Sequence, residues 1–364
     1  MSFSNICIIG CGLIGGSLLS AFRRKNIGER LLCVDFPRTL ERIKKMGLAD
    51  DLFSPDNLSA AVVQADLIFL ATRIKTIEEL LPEIVKYSRH GVVITDVGST
   101  KKNVVNIAGK FLPPEQYFIG GHPMAGAEKS GIEAADPFLF ENCFYILTPE
   151  ENTPQTKVNQ LAGILGEIGA KVLVLDAETH DRIAAGVSHL PQMLAVSLVN
   201  FINRCNEKQP HYLQLAAGGF RDMTRIASSP FDMWEDICRT NEREIVSFLD
   251  EFIKYLTDFR DRFQVNSLKK QFEDAARIRL SIPRDTKGFI NPNYDIAVVV
   301  DDKPGVIARM ATVLSENDIN IRDIEVLKVR LLEGGTIRLS FETENDREQA
   351  MKLLSTIGFE CRKR

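Results

Sequence analysis

Short, mostly apolar runs mark the first half of the chain, at residues 2–9, 31–34, 66–72, 92–97, 117–119, 144–147 and 171–175. Polar-faced helical segments separate them. Runs that are apolar at every position belong to strands covered on both faces, so the pattern predicts a parallel sheet with helices on either side. Beyond residue 177 the period becomes helical. Ala184, Val187, Leu190, Leu194 and Leu198 recur at helical spacing, and Pro191 is expected to kink that run or to open a new helix. The later helical run 243–280 holds more apolar positions than one small domain needs to bury, which suits a subunit interface. A polar stretch follows, and the tail reads β-α-β-β-α-β. The expected organisation is an α/β sheet domain over 1–176, an all-helical domain over 177–282, a linker over 283–293 and a small α/β domain over 294–364.

The first apolar run leads directly into Gly10-Cys11-Gly12-Leu13-Ile14-Gly15, and a helical segment follows. Glycines so spaced between strand and helix form the fingerprint of a Rossmann-type dinucleotide site. Gly10 permits the tight turn, Gly12 lets backbone approach a pyrophosphate, and Gly15 lets the helix pack on the strand. The phosphates would meet the free N–H groups of the helix start, at Leu13 and Ile14, and the positive end of its dipole. Asp35 ends the second run, about 20 residues after Gly15, where an acid can accept hydrogen bonds from the adenosine ribose. A carboxylate there repels a 2′-phosphate and favours NAD over NADP, although Arg38 stands close by. Thr72, ending the run 66–72, is assigned to the same cofactor site.

Composition narrows the class. The chain has 364 residues, 45% hydrophobic and 26% charged, enough for two or three domains with real cores. A net charge of −4 implies no polyanion-binding surface. The Lys/Arg-bearing stretch 260–287 is interleaved with acids and reads as a solvated helix face, so no nucleic-acid partner is expected. The first run begins almost at Met1, leaving no room for a signal peptide. No apolar run is long enough to span a bilayer, so a cytoplasmic location without membrane association is expected. Seven cysteines show no metal-ligand spacing; no metal is expected, and the thiols should be reduced, buried and inert.

The candidate chemistry centres on His122, one of five histidines, set in Gly120-Gly121-His122-Pro123-Met124-Ala125-Gly126 at the end of an apolar run. An imidazole among small residues, with backbone able to approach a ligand closely, is a candidate for proton transfer near neutral pH. Ser99 follows the run 92–97. As a strand-end residue it could face cofactor or substrate, or it could cap the helix from Lys101. Arg221 and Arg225 are four apart in a helical segment and share a face. Two guanidiniums there suit a substrate with two carboxylates, and interhelical salt bridges are the alternative. His189 and Gln192 lie in the first long helical segment. Trp234, the single tryptophan, is by itself more often core than ligand platform.

Residues 10–17, 96–101, 120–131, 187–191 and 218–234 resemble, in order and spacing, the motifs of the prephenate/arogenate dehydrogenase family, over residues 3 to about 265. The resemblance implies NAD-dependent oxidative decarboxylation of prephenate to 4-hydroxyphenylpyruvate in tyrosine biosynthesis, by a homodimer. It implies His122 as the catalytic histidine and Ser99 as its partner at the substrate hydroxyl. Arg225 is then the arginine for a substrate carboxylate, and His189 a histidine near the nicotinamide and the substrate side chain. Glu128 becomes a cleft carboxylate, and Trp234 a residue lining the site, often from the neighbouring subunit. Two departures stand out: Arg221 replaces a lysine of some relatives, and Gln192 a second histidine, leaving a neutral amide where the side-chain carboxylate would bind. Prephenate is the expected substrate and arogenate the alternative; a non-catalytic sensor of NAD and an amino acid is a third reading. Residues 302–308 with 317–321 resemble an ACT domain, a ferredoxin-like amino-acid-sensing module. Lys303, Pro304, Gly305, Val306 and Asn320 are its expected effector-binding residues, and an aromatic amino acid, tyrosine or phenylalanine, its expected inhibitor. A plain ferredoxin-like domain serving dimer contacts is the alternative.

Overall fold

The apolar runs form β1 (Asn5–Ile9), β2 (Arg30–Val34), β3 (Asp51–Phe53), β4 (Leu67–Leu70), β5 (Val93–Asp96), β6 (Tyr117–Pro123), β7 (Phe144–Pro149) and β8 (Lys171–Val174). The computed structural model describes residues 3–126, 130–263, 265–282, 294–301, 303–330 and 334–363. They fall into two compact units, Met1–Gln264 and Val265–Arg364. The first holds a single sheet in the order β3-β2-β1-β4-β5-β6-β7-β8. Alternation explains why its strands are apolar throughout. Ile6, Ile8, Leu67 and Phe69 enter one core, while Cys7, Ile9, Ile68 and Leu70 enter the other, on the opposite face. The strand order reverses beside β1, so the fingerprint opens at the crevice where such sheets bind ligands.

One expectation needs correction. The sheet is parallel only as far as β6; β7 runs antiparallel to β6, and β8 is parallel to β7. Parallel neighbours need a crossover of a dozen or more residues, usually a helix. Between β6 and β7 the described chain holds only a short 3₁₀ turn, Ile132–Ala134, so β7 returns alongside its predecessor.

Past β8 the first unit is helical: Ala177–Ala184, a π-helical turn at Ala185–His189, then Leu190–Lys208. Asp176 caps the first of these, accepting from Thr179 N at 2.8 Å. Pro191 lies in the first turn of Leu190–Lys208, as expected of a helix-starting proline, and the π turn falls immediately before it. Helices Gly218–Thr224, Phe231–Thr240 and Glu242–Asp261 complete the unit. Trp234, Ile237 and Ile245 form a small core with Ile74 of the helix after β4, which ties the helical part to the sheet. The stretch Ala177–Lys208 corrects another expectation. It is 32 residues long with an 18-residue window of mean hydropathy 1.3, enough by length and composition to cross a membrane, although His180, Asp181, His189 and Gln192 within it are buried polar residues of this unit. Val187, Phe201, Ile253 and Tyr255 leave a broad apolar surface on these helices.

The second unit contains helix Val265–Ser281 and β9 (Tyr294–Val300), β10 (Asp323–Arg330), β11 (Gly334–Phe341) and β12 (Glu360–Lys363), an antiparallel sheet in the order β10-β11-β9-β12. Helices Val306–Ser315 and Glu344–Thr356 cover one face through Met310, Leu314, Ala350 and Leu354. This is the βαββαβ, ferredoxin-like arrangement read from the tail. The expected linker, 283–293, lies outside the described residues.

Candidate active site

The fingerprint has the shape a dinucleotide requires. Gly10 takes φ +88°, and a Cβ on it would lie 2.6 Å from Thr72 Cγ2 and 2.9 Å from the Ala71 carbonyl. A Cβ on Gly15 would strike the Gly10 carbonyl, while one on Gly12 would meet nothing within 4 Å. Two glycines therefore pack the turn against its neighbours, and the third leaves backbone open on the ligand side. Helix Leu13–Lys25 starts without a side-chain cap, so no side chain occupies the first-turn N–H groups at its positive end, where an anion would be favoured. Asp35 sits beside the turn: its Oδ2 accepts from Cys11 N and its Oδ1 from Phe36 N, each at 2.6 Å. Each oxygen keeps a lone pair for a ribose hydroxyl. Thr72, two residues past the end of β4, packs against this turn.

His122 is the penultimate residue of β6, opposite Ile146 of β7, at the same end of the sheet. Its Nδ1 is 2.8 Å from His180 Nε2, and His180 Nδ1 is 2.8 Å from Asp181 Oδ1. Asp181 also accepts from Lys101 N at 2.7 Å and Lys102 N at 2.9 Å. The carboxylate fixes the proton on His180 Nδ1, so His180 Nε2 accepts from His122 Nδ1–H. That leaves His122 Nε2 as the nitrogen with a lone pair. Burial, followed by His180, Lys101 and His189, pushes the His122 proton affinity well below that of an ordinary histidine. The ring is a neutral acceptor at pH 7.

The remaining expected residues divide. His189 is buried, its Nδ1 3.2 Å from Asn241 Nδ2, with its ring edge-on to Trp234 at 5.8 Å. Asn241 Nδ2 also donates to the Asp181 carbonyl at 2.8 Å, so one amide links His189 to the relay behind His122. Burial takes His189 down to about 4. Trp234 is core by packing, yet its Nε1–H is buried without an acceptor among the described residues. Gln192 is buried and donates to the Ile226 carbonyl at 3.0 Å, bracing the turn that carries Arg225. Arg221 and Arg225 do not share one regular helix face: the helix ends at Thr224, and Arg225 opens the 3₁₀ turn Arg225–Ser228, both guanidiniums lying on exposed residues. Ser99 is half-buried at the β5 exit. It is not a helix cap, because the following helix starts at Lys102 with Lys101 in the cap position. Glu128 lies outside the described residues.

Comparison with known proteins places these features. Residues 20–174 match the model of the prephenate dehydrogenase nucleotide-binding domain, 176–270 that of the prephenate dehydrogenase dimerization domain, and 294–358 the ACT domain. A prephenate dehydrogenase of Bacillus subtilis is 37% identical over 95% of this chain and 94% of its own length. The chain belongs to the prephenate dehydrogenase family. Among solved structures of that family, prephenate dehydrogenase from A. aeolicus, in complex with hydroxyphenyl propionate and NAD+, aligns with a TM-score of 0.72 at 27% identity, over 78% of this chain and 99% of that one. Synechocystis arogenate dehydrogenase aligns with 0.68 at 28%, over 76% and 98%.

This member of the family therefore has an oxidoreductase unit and an ACT unit. In the latter, Gly305 takes φ +88° with open space around it and begins helix Val306–Ser315, two residues later than a helix starting at Pro304. Lys303 Nζ is 3.0 Å from Asp301 Oδ2, Val306 packs on the core, and Asn320 is exposed. Sequence reasoning assigned no role to His180, Asp181, Asp96, Lys101 or Asn241. The available signal was a His-Asp pair just before the apolar helical run 183–200, since titratable neighbours beside apolar surroundings mark functional sites.

Proposed function

We propose that the chain oxidises prephenate to 4-hydroxyphenylpyruvate with NAD, as a soluble, cytoplasmic homodimer. The glycine cradle and Asp35 support NAD as the bound nucleotide, and the bound nicotinamide supplies the hydride acceptor. The chain's own groups handle the proton and the two carboxylates. His122 Nε2 takes the proton of the ring hydroxyl as the carbonyl forms, and Ser99, at the neighbouring strand end, orients that hydroxyl. His180 and Asp181 hold the His122 ring and spread the charge it acquires. Arg225 binds the ring carboxylate, which leaves as carbon dioxide, and Arg221 the second carboxylate. His189 donates from Nε2 to the side chain, while Trp234, Gln192 and Glu128 complete the cleft wall. The division into 1–176, 177–282, 283–293 and 294–364 accompanies this reading, with the apolar surface of the helical part forming the dimer contact.

The observation that carries the proposal is the His122–His180–Asp181 chain at the nucleotide end of the sheet. His122→Asn should lower kcat by about 1,000-fold or more while NAD affinity stays within a few-fold. A mutant of undiminished activity removes the proposed base. Assays with prephenate and arogenate side by side test the substrate; arogenate preference would overturn the choice of prephenate. The ACT unit is proposed to bind tyrosine or phenylalanine at Lys303–Val306 and Asn320 and to inhibit the reaction. Removal of 294–364 should abolish that inhibition, and inhibition that persists would reject this role.

A further inference from the structure

Lys101 is fully buried, and its ammonium is paired with the equally buried carboxylate of Asp96. A buried ion pair is poor evidence of stabilisation, because desolvating two charges costs about as much as their attraction returns. What these two residues touch is more telling. Asp96 Oδ1 accepts from Gly121 N at 3.0 Å, the amide just before His122, and its Oδ2 accepts from Gly98 N at 2.8 Å, the amide just before Ser99. Lys101 N donates to the Asp181 oxygen that also holds His180. The contacts close a ring: His122 to His180, to Asp181, to the Lys101 backbone, through its side chain to Asp96, and back to the residue before His122. Gly120 leaves room for the lysine stem, since a Cβ there would lie 3.2 Å from Lys101 Cδ.

We propose that Lys101 is a positioning residue for proton transfer at His122: its charge balances Asp96, its two ends tie the strand exits to the relay, and together they fix the histidine as a proton acceptor. The inference rests on the reading of His122 as the base. The charge balance agrees with it. Lys101 and Asp96 cancel, His180 and His122 are neutral in the tautomers above, and Asp181 is the one uncompensated charge of the ring. One proton on His122 brings the ring to neutrality, and the fixed cation opposes further uptake. Among the described residues the titratable groups acting on His122 are His180 and His189 from the helical part and Lys101 from the β5 exit, with Asp181 behind His180 and Asp96 behind Lys101.

The test uses the full chain and the pH profile of kcat/KM with prephenate and NAD. In Lys101→Met the uncompensated Asp96 should raise the His122 proton affinity and move the acid limb up by about one pH unit, with kcat reduced about 10- to 100-fold and NAD affinity within about 3-fold. The double variant Asp96→Asn, Lys101→Met keeps the acceptor for Gly121 N and buries no charge. It should fold even if the single variant does not, and should show a smaller upward shift. Lys101→Arg should leave the limb where it is in the parent chain. An acid limb unmoved in every folded Met variant would reduce Lys101 to structural filler and overturn the inference. Should His122→Asn remain active, the reading of the base fails instead; should it be inactive while those limbs stay fixed, only the role of Lys101 fails.

Discussion

Two polar regions of the first unit are built in opposite ways. Around His122 every partner is buried and paired within one chain: Asp96, Lys101, His180 and Asp181 are each at most 1% exposed. The segment 218–228 instead carries Arg221 and Arg225 on exposed residues, braced from beneath by Gln192. The difference matches what each region is proposed to do. A base must keep one tautomer and one orientation through every turnover, so its supports are locked before substrate arrives. Guanidiniums on exposed residues can meet a dianion arriving from solvent, and Arg suits that task because it stays charged and binds carboxylates bidentately. Substitutions in the first region should therefore lower kcat, and those in the second should raise KM.

The largest effect after loss of His122 itself is expected at Arg225. Arg225→Ala should raise KM for prephenate about 100-fold with a smaller change in kcat, in steady-state assays, because a charged hydrogen-bonded pair contributes about 2–3 kcal/mol. A fall confined to kcat would erase the contrast between the two regions. Asp181→Asn should do the reverse, lowering kcat about 10- to 100-fold with KM within a few-fold, as an uncharged partner no longer steadies the protonated relay. Arg221→Ala should change KM only about 5-fold, since it stands on an exposed residue one turn before Arg225. A separate effect is on stability rather than on turnover. The folded chain holds His189 near 4, whereas an exposed histidine titrates near 6.5. The unfolded chain then binds a proton that the folded one refuses, so stability is full above pH 6.5 and falls towards pH 4, by about 3 kcal/mol at most. Thermal unfolding of the parent and of His189→Asn across that range should diverge; parallel curves would mean that His189 is not held neutral.

Much of this was legible in the chain. The fingerprint glycines, Asp35 and the position of His122 are local features, and local features survive a reading of residues in order. The reversal of β7 was not, because an apolar run such as 144–147 looks the same in either direction, and only the chain between strands decides which way it runs. Nor was the relay: His180 lies 58 residues from His122, and Asp181 lies 80 from Lys101, distances that only the tertiary fold closes. Arg221 and Arg225 were placed on one helix face by spacing alone, and the switch to a 3₁₀ turn at Arg225 shifts that geometry. Ser99 had the residue type of a helix cap, but the ties from Lys101 N and Lys102 N to Asp181 set the helix start further on.

The most direct measurement is the pH dependence of kcat/KM for the parent chain beside His122→Asn. If His122 is the base, the parent loses activity on the acid side through an ionisation below about 6.5, and the residual rate of the variant shows no such limb. An acid limb of the same position and depth in both proteins would contradict the assignment.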